Sequence, residues 1–210
     1  MKQNYFDTLV SEYEEWFVEN QTLLQSELLA LKLVIPVGRK GIEIGIGSGI
    51  FAEKLSIKDG IDPSEMMLSI AQRRGLDVVK GVAEDLPYPD TSFDFAVFIT
   101  SLCFVDSPVK AIEEARRILK QNGEIIIAII DKESVFGKFL NKEKKKSRFY
   151  KYASFYSVPE TISLLEENGF KINAVFQTLE DPGRTEIEQP RKGYGKGSFV
   201  VIRGVKINSN

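Results

Sequence analysis

The chain has 210 residues, with 43% hydrophobic and 28% charged residues and a formal net charge of −2. That balance suits an α/β domain with a sizeable core, and it gives no overall pull toward nucleic acid or an anionic membrane. The single cysteine, Cys103, excludes an internal disulfide, and the absence of histidine removes the usual metal ligand and neutral-pH base, so no metal is expected.

In chain order, the opening residues carry no apolar core of signal-peptide type, and no run approaches a membrane span. A cytoplasmic location is the default expectation. Residues 5–34 read as helical. Phe6, Val10, Tyr13, Trp16 and Phe17 recur at three- and four-residue steps, as do Leu24, Leu28 and Leu31. Ser11 and Glu14 have the spacing of a capping box. Tyr5, Tyr13 and Trp16 are candidates for a lid, the plainer reading being helix packing.

Residues 40–46 read as a strand that runs into Gly45, Gly47 and Gly49, followed by a short helix to about 56. Glycines let a ligand lie on the main chain, and the helix start favours an anionic group. Glu43, near the strand's carboxyl end, suits a cationic amine. Together these fit the zwitterionic amino-acid end of S-adenosylmethionine; a Gly-rich turn without a ligand is the alternative.

A second strand ends on Asp62, and Pro63-Ser64-Glu65 opens a helix stopped by Gly75. Residues 76–80 read as a third strand and 92–100 as a fourth, ending at Thr100. A helix follows from Ser107-Pro108 to Asn122-Gly123, and then a β-branched run, 124–130, as in a strand buried on both faces. This alternation predicts a parallel sheet with helices on both faces. Ligands bind beyond the carboxyl ends of such strands, the edge at which Glu43, Asp62, Ala83–Glu84 and Thr100 converge.

Beyond 131 the rhythm changes. Residues 132–156 carry a basic run at 142–148 (Lys142, Lys144, Lys145, Lys146, Arg148) and then Phe149, Tyr150, Tyr152, Phe155 and Tyr156. The lysines read as a solvated helix face, the aromatics as substrate-pocket lining or helix packing. Ser157 and Glu160 form a capping box before another helix; strands are expected at 170–178 and 198–205, with Pro182, Gly183 and Gly193–Gly197 between them.

These motifs resemble the class I S-adenosylmethionine-dependent methyltransferases, especially their ubiquinone/menaquinone-biosynthesis-like branch (methyltransferase type 11). The stretch Glu43-x-Gly45-x-Gly47-x-Gly49 is similar to that family's cofactor loop. Gly60-Ile61-Asp62-Pro63-Ser64-Glu65-Met66 is similar to its second signature. Ala83-Glu84-Asp85-Leu86-Pro87 ahead of Ser92-Phe93-Asp94, and the helix end at 111–123, complete the likeness.

The resemblance implies a Rossmann-like fold with seven strands, mostly parallel, an antiparallel last strand, and helices capping the site. A single domain is expected over 1–210: an N-terminal helical cap (1–36), a cofactor-binding core (37–131) and a substrate-side part (132–210). The implied activity is SN2 methyl transfer to an N, O or C nucleophile of a small molecule. Glu43 and Gly45–Gly49 would hold the methionine part and Asp62 the ribose hydroxyls. Pro63, Ser64, Met66, Ala83 and Glu84 would surround the adenosine, and Thr100 would lie near the methyl.

Tyr5, Tyr13, Trp16, Phe104 and Tyr152 are the acceptor-side candidates, and no residue stands out as a catalytic base. Two departures matter: Val82 replaces a common acid, and Leu102-Cys103-Phe104-Val105 replaces a histidine region. The rival readings are a nicotinamide-dependent oxidoreductase and a non-catalytic cofactor-binding partner subunit. Expected partners are a small-molecule acceptor and at most a second copy of the chain.

Overall fold

The computed structural model describes residues 5–181, 183 and 185–207. Pro182 lies outside them. After a 3-10 turn at Phe6–Thr8 come α1 (Val10–Glu19) and α2 (Gln21–Lys32). The alternating part is β1 (Gly41–Ile44), α3 (Ile50–Leu55), β2 (Asp59–Asp62), α4 (Glu65–Arg73), β3 (Asp77–Lys80), β4 (Phe93–Ile99), α5 (Pro108–Ile118) and β5 (Leu119–Ile130). Then follow α6 (Val135–Glu143), α7 (Val158–Glu167), β6 (Phe170–Thr178), β7 (Arg191–Lys192) and β8 (Phe199–Lys206).

The strands form one sheet in the order β3-β2-β1-β4-β5-β8-β6-β7. β1 to β5 pair in parallel, and β8 runs antiparallel between β5 and β6. The expected seven strands become eight because Arg191–Lys192 pairs with Phe176–Gln177 at the edge. Two exposed basic residues have no alternation that would mark them as a strand. The order reverses between β1 and β4, and a crevice opens beyond the carboxyl ends at such a switch point.

Side-chain alternation divides the core into two layers. Val97, Ile126, Ala128 and Val201 face α1–α4, whereas Ala96, Phe98, Ile125, Ile127 and Ile202 face α5 and α7. β4, β5 and β8 are thus apolar on both faces, which is why their sequences are almost unbroken in Ile, Val and Phe.

Three local expectations change. Ser11 and Glu14 form no capping box: Leu9 precedes α1 without a side-chain cap, and Glu14 pairs with Arg74 instead. The helix before β5 ends at Ile118, and Lys120–Gly123 bulge between the pairs Phe93–Leu119 and Phe95–Glu124. The aromatic run 149–156 is not helical; it is turn and extended chain. The capping box at Ser157 and Glu160 forms with both of its hydrogen bonds. Of the lysine cluster, Lys145 and Lys146 are exposed on a 3-10 turn, and Lys144 donates to the Ala153 carbonyl at 2.9 Å.

Candidate active site

The turn after β1 owes its glycines to three different neighbours. At Gly45 a Cβ would meet the Ser101 side chain at 2.4 Å, where β4 passes close by. At Gly49 it would strike Leu76 at 2.3 Å and block the packing of α3 on α4. At Gly47 it would point to the Tyr13 hydroxyl at 3.7 Å, across the space above the loop. The loop is pinned from outside by Arg74, which donates to the Ser48 carbonyl at 2.6 Å and pairs with Glu14 of α1 at 2.5 Å.

Glu43 lies beneath this loop, 2% exposed, with Oε2 unpartnered. Burial first and the Asp62 charge second push its carboxyl well above the usual range, while the Ala52 N–H at the start of α3 opposes them. At the end of β2, Asp62 accepts from Gly47 N–H at 2.9 Å and from Ser64 N–H at 2.8 Å. Burial raises its carboxyl to about 6 against these bonds. Ser64 caps α4, accepting from Met67 N–H, and donates in turn to Asp7 of the N-terminal turn. The Glu84 carboxylate accepts from the N–H groups of Asp106 and Ser107, at 2.7 and 3.0 Å.

A cavity of about 420 Å3 opens along this edge. Gly45, Gly47, Asp62, Pro63, Ala83, Glu84 and Thr100 line it, as do Tyr5, Tyr13, Trp16, Phe104 and Tyr152. Glu43, Gly49, Ser64 and Met66 do not. Glu43 and Gly49 build the loop from behind, and Ser64 caps the helix. Met66 is 55% exposed, and the next residue, Met67, takes the inward position at 1%. One position is about 100° of helix, enough to exchange wall for solvent. Among the described residues no Lys or Arg lines the cavity, whereas Glu27, Asp62, Glu84 and Asp106 do.

Aromatic rings close the other side. Tyr13 packs edge-on to Phe17 and Phe149, Tyr5 to Tyr152 and Phe6 to Phe104; Phe104 stacks on Tyr150 at 6.3 Å. Burial, then Glu43, raises the Tyr13 hydroxyl well above its ordinary value. At the floor, Thr100 has φ 51°, and its N–H donates to the Ala128 carbonyl at 2.9 Å. That left-handed conformation costs an L-residue about 1–2 kcal/mol. Burial lifts the Cys103 thiol to about 12, which leaves it an inert packing group.

The residue missed by sequence reasoning is Glu27. It stands on α2 four residues from both Leu23 and Leu31, on the apolar face, and it lines the cavity. The signal was there: a lone carboxylate in register with a leucine stripe.

A conserved-domain model described as "methyltransferase domain" matches residues 42–127. A crystal structure from Thermotoga maritima, described as a SAM-dependent methyltransferase and possible histamine N-methyltransferase, superposes with a TM-score of 0.94; it is 48% identical, with 97% of this chain and 99% of that chain covered. An uncharacterized protein of Methanocaldococcus jannaschii is 45% identical over 97% of this chain and 100% of its own length. A ubiquinone/menaquinone biosynthesis C-methyltransferase of Rickettsia akari is 29% identical over 66% of this chain and 60% of its own.

The fold, with its glycine turn and acid at successive strand ends, defines a class I, Rossmann-like cofactor-binding enzyme. The chain belongs to the S-adenosylmethionine-dependent methyltransferases. Its wall suits that cofactor. Acids without a lining cation complement the positive ammonium and sulfonium groups, and they oppose the pyrophosphate that the nicotinamide reading requires. The oxidoreductase reading is therefore set aside, and membership of the methyltransferase family favours an enzyme over a non-catalytic subunit.

Proposed function

We propose that the protein transfers a methyl group to a nitrogen, oxygen or carbon nucleophile of a small, largely apolar molecule. The single observation that carries this is one continuous cavity whose wall joins Gly47 and Asp62 to the aromatic cover. S-adenosylmethionine, when bound, supplies a methyl group on a positively charged sulfur. In this reading the main chain from Gly45 to Gly49 holds its amino-acid end, backed by Glu43. The remaining lone pairs of Asp62 accept from the ribose hydroxyls. Pro63 and Met67 pack on the adenine, and Ala83 and Glu84 meet its edge.

Residues 37–131 then serve the cofactor, while 1–36 and 132–210 serve the acceptor. Tyr13, Trp16, Phe104 and Tyr152 exclude water and orient the acceptor in line with the methyl. Such alignment can supply about 7–11 kcal/mol of the barrier reduction. The description of the Thermotoga maritima relative supports nitrogen as the accepting atom. Isothermal titration of the full chain with S-adenosylhomocysteine and with NAD tests the reading. Binding of the first alone is expected; binding of NAD alone overturns it.

A further inference from the structure

We propose that the acceptor is a small amine, and that the Glu27 carboxylate receives it as the ammonium ion and takes its proton before nitrogen attacks the methyl. This rests on the methyl-transfer reading above and names its substrate class and base.

Four observations carry it. First, Glu27 is a carboxylate on an otherwise leucine-lined face of α2, and it reaches the cavity wall. Second, no hydrogen bond or ion pair reaches it from the described residues, and no Lys or Arg lines the cavity. The other lining acids are differently placed. Asp62 and Glu84 each hold two backbone N–H groups, and Asp106 sits beside Glu84 at the adenosine end. Among the described residues nothing competes with an entering cation for Glu27.

Third, aromatic rings share the cavity with it: Tyr150 feels the Glu27 charge, and Trp16 and Phe199 belong to the same lining. Aromatic faces with one carboxylate form a recognition set for a cationic nitrogen. Fourth, Glu27 and the acids around the glycine loop act on different rings of the cover. Tyr13 feels Glu43, Tyr150 and Asp62, whereas Tyr150 feels Cys103 and Glu27; Glu27 itself feels burial alone. Burial raises the Glu27 carboxyl to about 8, a value suited to accepting a proton near neutrality.

The step balances. The N–H bond of R–NH3+ breaks and its proton goes to Glu27, leaving a lone pair on nitrogen. That pair forms the new N–C bond while the C–S electrons return to sulfur, giving R–NH2–CH3+ and S-adenosylhomocysteine. The proton on Glu27 then leaves to solvent.

The test uses the full chain, its Glu27→Gln variant and a matched panel: 2-phenylethylamine, tyramine and histamine against 2-phenylethanol and phenylacetate. Binding is measured by calorimetry with S-adenosylhomocysteine present, and methyl transfer with labelled donor. For the parent, at least one amine is expected to bind and be methylated in preference to the alcohol and acid. For Glu27→Gln, S-adenosylhomocysteine affinity should stay within about twofold, while amine affinity falls ~10–100-fold, as for loss of a charged hydrogen bond.

Equal amine binding by parent and variant overturns the proposal. So does a preference for the alcohol or acid, or no amine binding by a parent that binds S-adenosylhomocysteine. A parent that fails to bind S-adenosylhomocysteine refutes the underlying methyl-transfer reading instead. Retained S-adenosylhomocysteine affinity in the variant serves as the check that it is folded.

Discussion

Asp62 makes two demands on one carboxylate. It organises the glycine loop and α4 through the N–H groups of Gly47 and Ser64, and it also lines the cavity. Because its folded value, about 6, lies above the ordinary 3.8, ionising it opposes folding. That penalty is absent below the unfolded value and complete above the folded one. Asp62→Asn should therefore be at least as stable as the parent at about pH 8 in a thermal melt. It should nevertheless bind S-adenosylhomocysteine ~10–100-fold more weakly by calorimetry, having lost a charge-assisted acceptor. In the parent, the same affinity should weaken as the pH falls through about 6.

At this scale the glycines and Asp62 were legible, since only a few residue types can make such a turn and place an acid beside it. Met67 and Glu27 were not. Met67 differs from Met66 by one step of helical phase. Glu27 left only a faint mark, its register with Leu23 and Leu31, and it is the cavity beside it, built from distant segments, that sets it apart.

At the scale of elements, the cover over the loop is held by particular polar contacts. Arg74, at the end of α4, grips the Ser48 carbonyl and Glu14 of α1 together, with Glu53 at 3.4 Å. Asp7 holds the start of α4 through Ser64 and Met66. Arg74→Ala should loosen α1 from the loop. The expected signs are a shift in fluorescence of Trp16, the sole tryptophan, and about tenfold weaker S-adenosylhomocysteine binding. Unchanged fluorescence and affinity would assign α1 a purely packing role.

The strands and helices between 40 and 130 could be read because their periods differ and their caps are explicit. The chain from 149 to 156 could not. Its rings answer to Phe104 and Tyr13, which lie far away in sequence, and follow no local period.

For the whole molecule, β4 and β5 belong to both core layers at once. Ile126 and Ile127, adjacent in β5 and fully buried, point into opposite layers. Ile126→Ala and Ile127→Ala should each cost about 2–5 kcal/mol in urea unfolding. A strand shared by both layers should make them fail together, so Trp16 fluorescence and far-ultraviolet circular dichroism should give coincident transitions for the parent and both variants. Separate midpoints would show that the layers unfold independently. The order of strands was less legible than their existence, because β8 inserts between β5 and β6 by long-range pairing alone.

The position of Tyr13 above Gly47 has a kinetic consequence. A molecule resting on that loop would have Tyr13 of α1 over it, and we expect the grip of Arg74 on Glu14 and that of Asp7 on Ser64 to slow the departure of the spent donor. Donor first and spent donor last is the order of traffic this arrangement favours, with the slow step of each cycle at the exit.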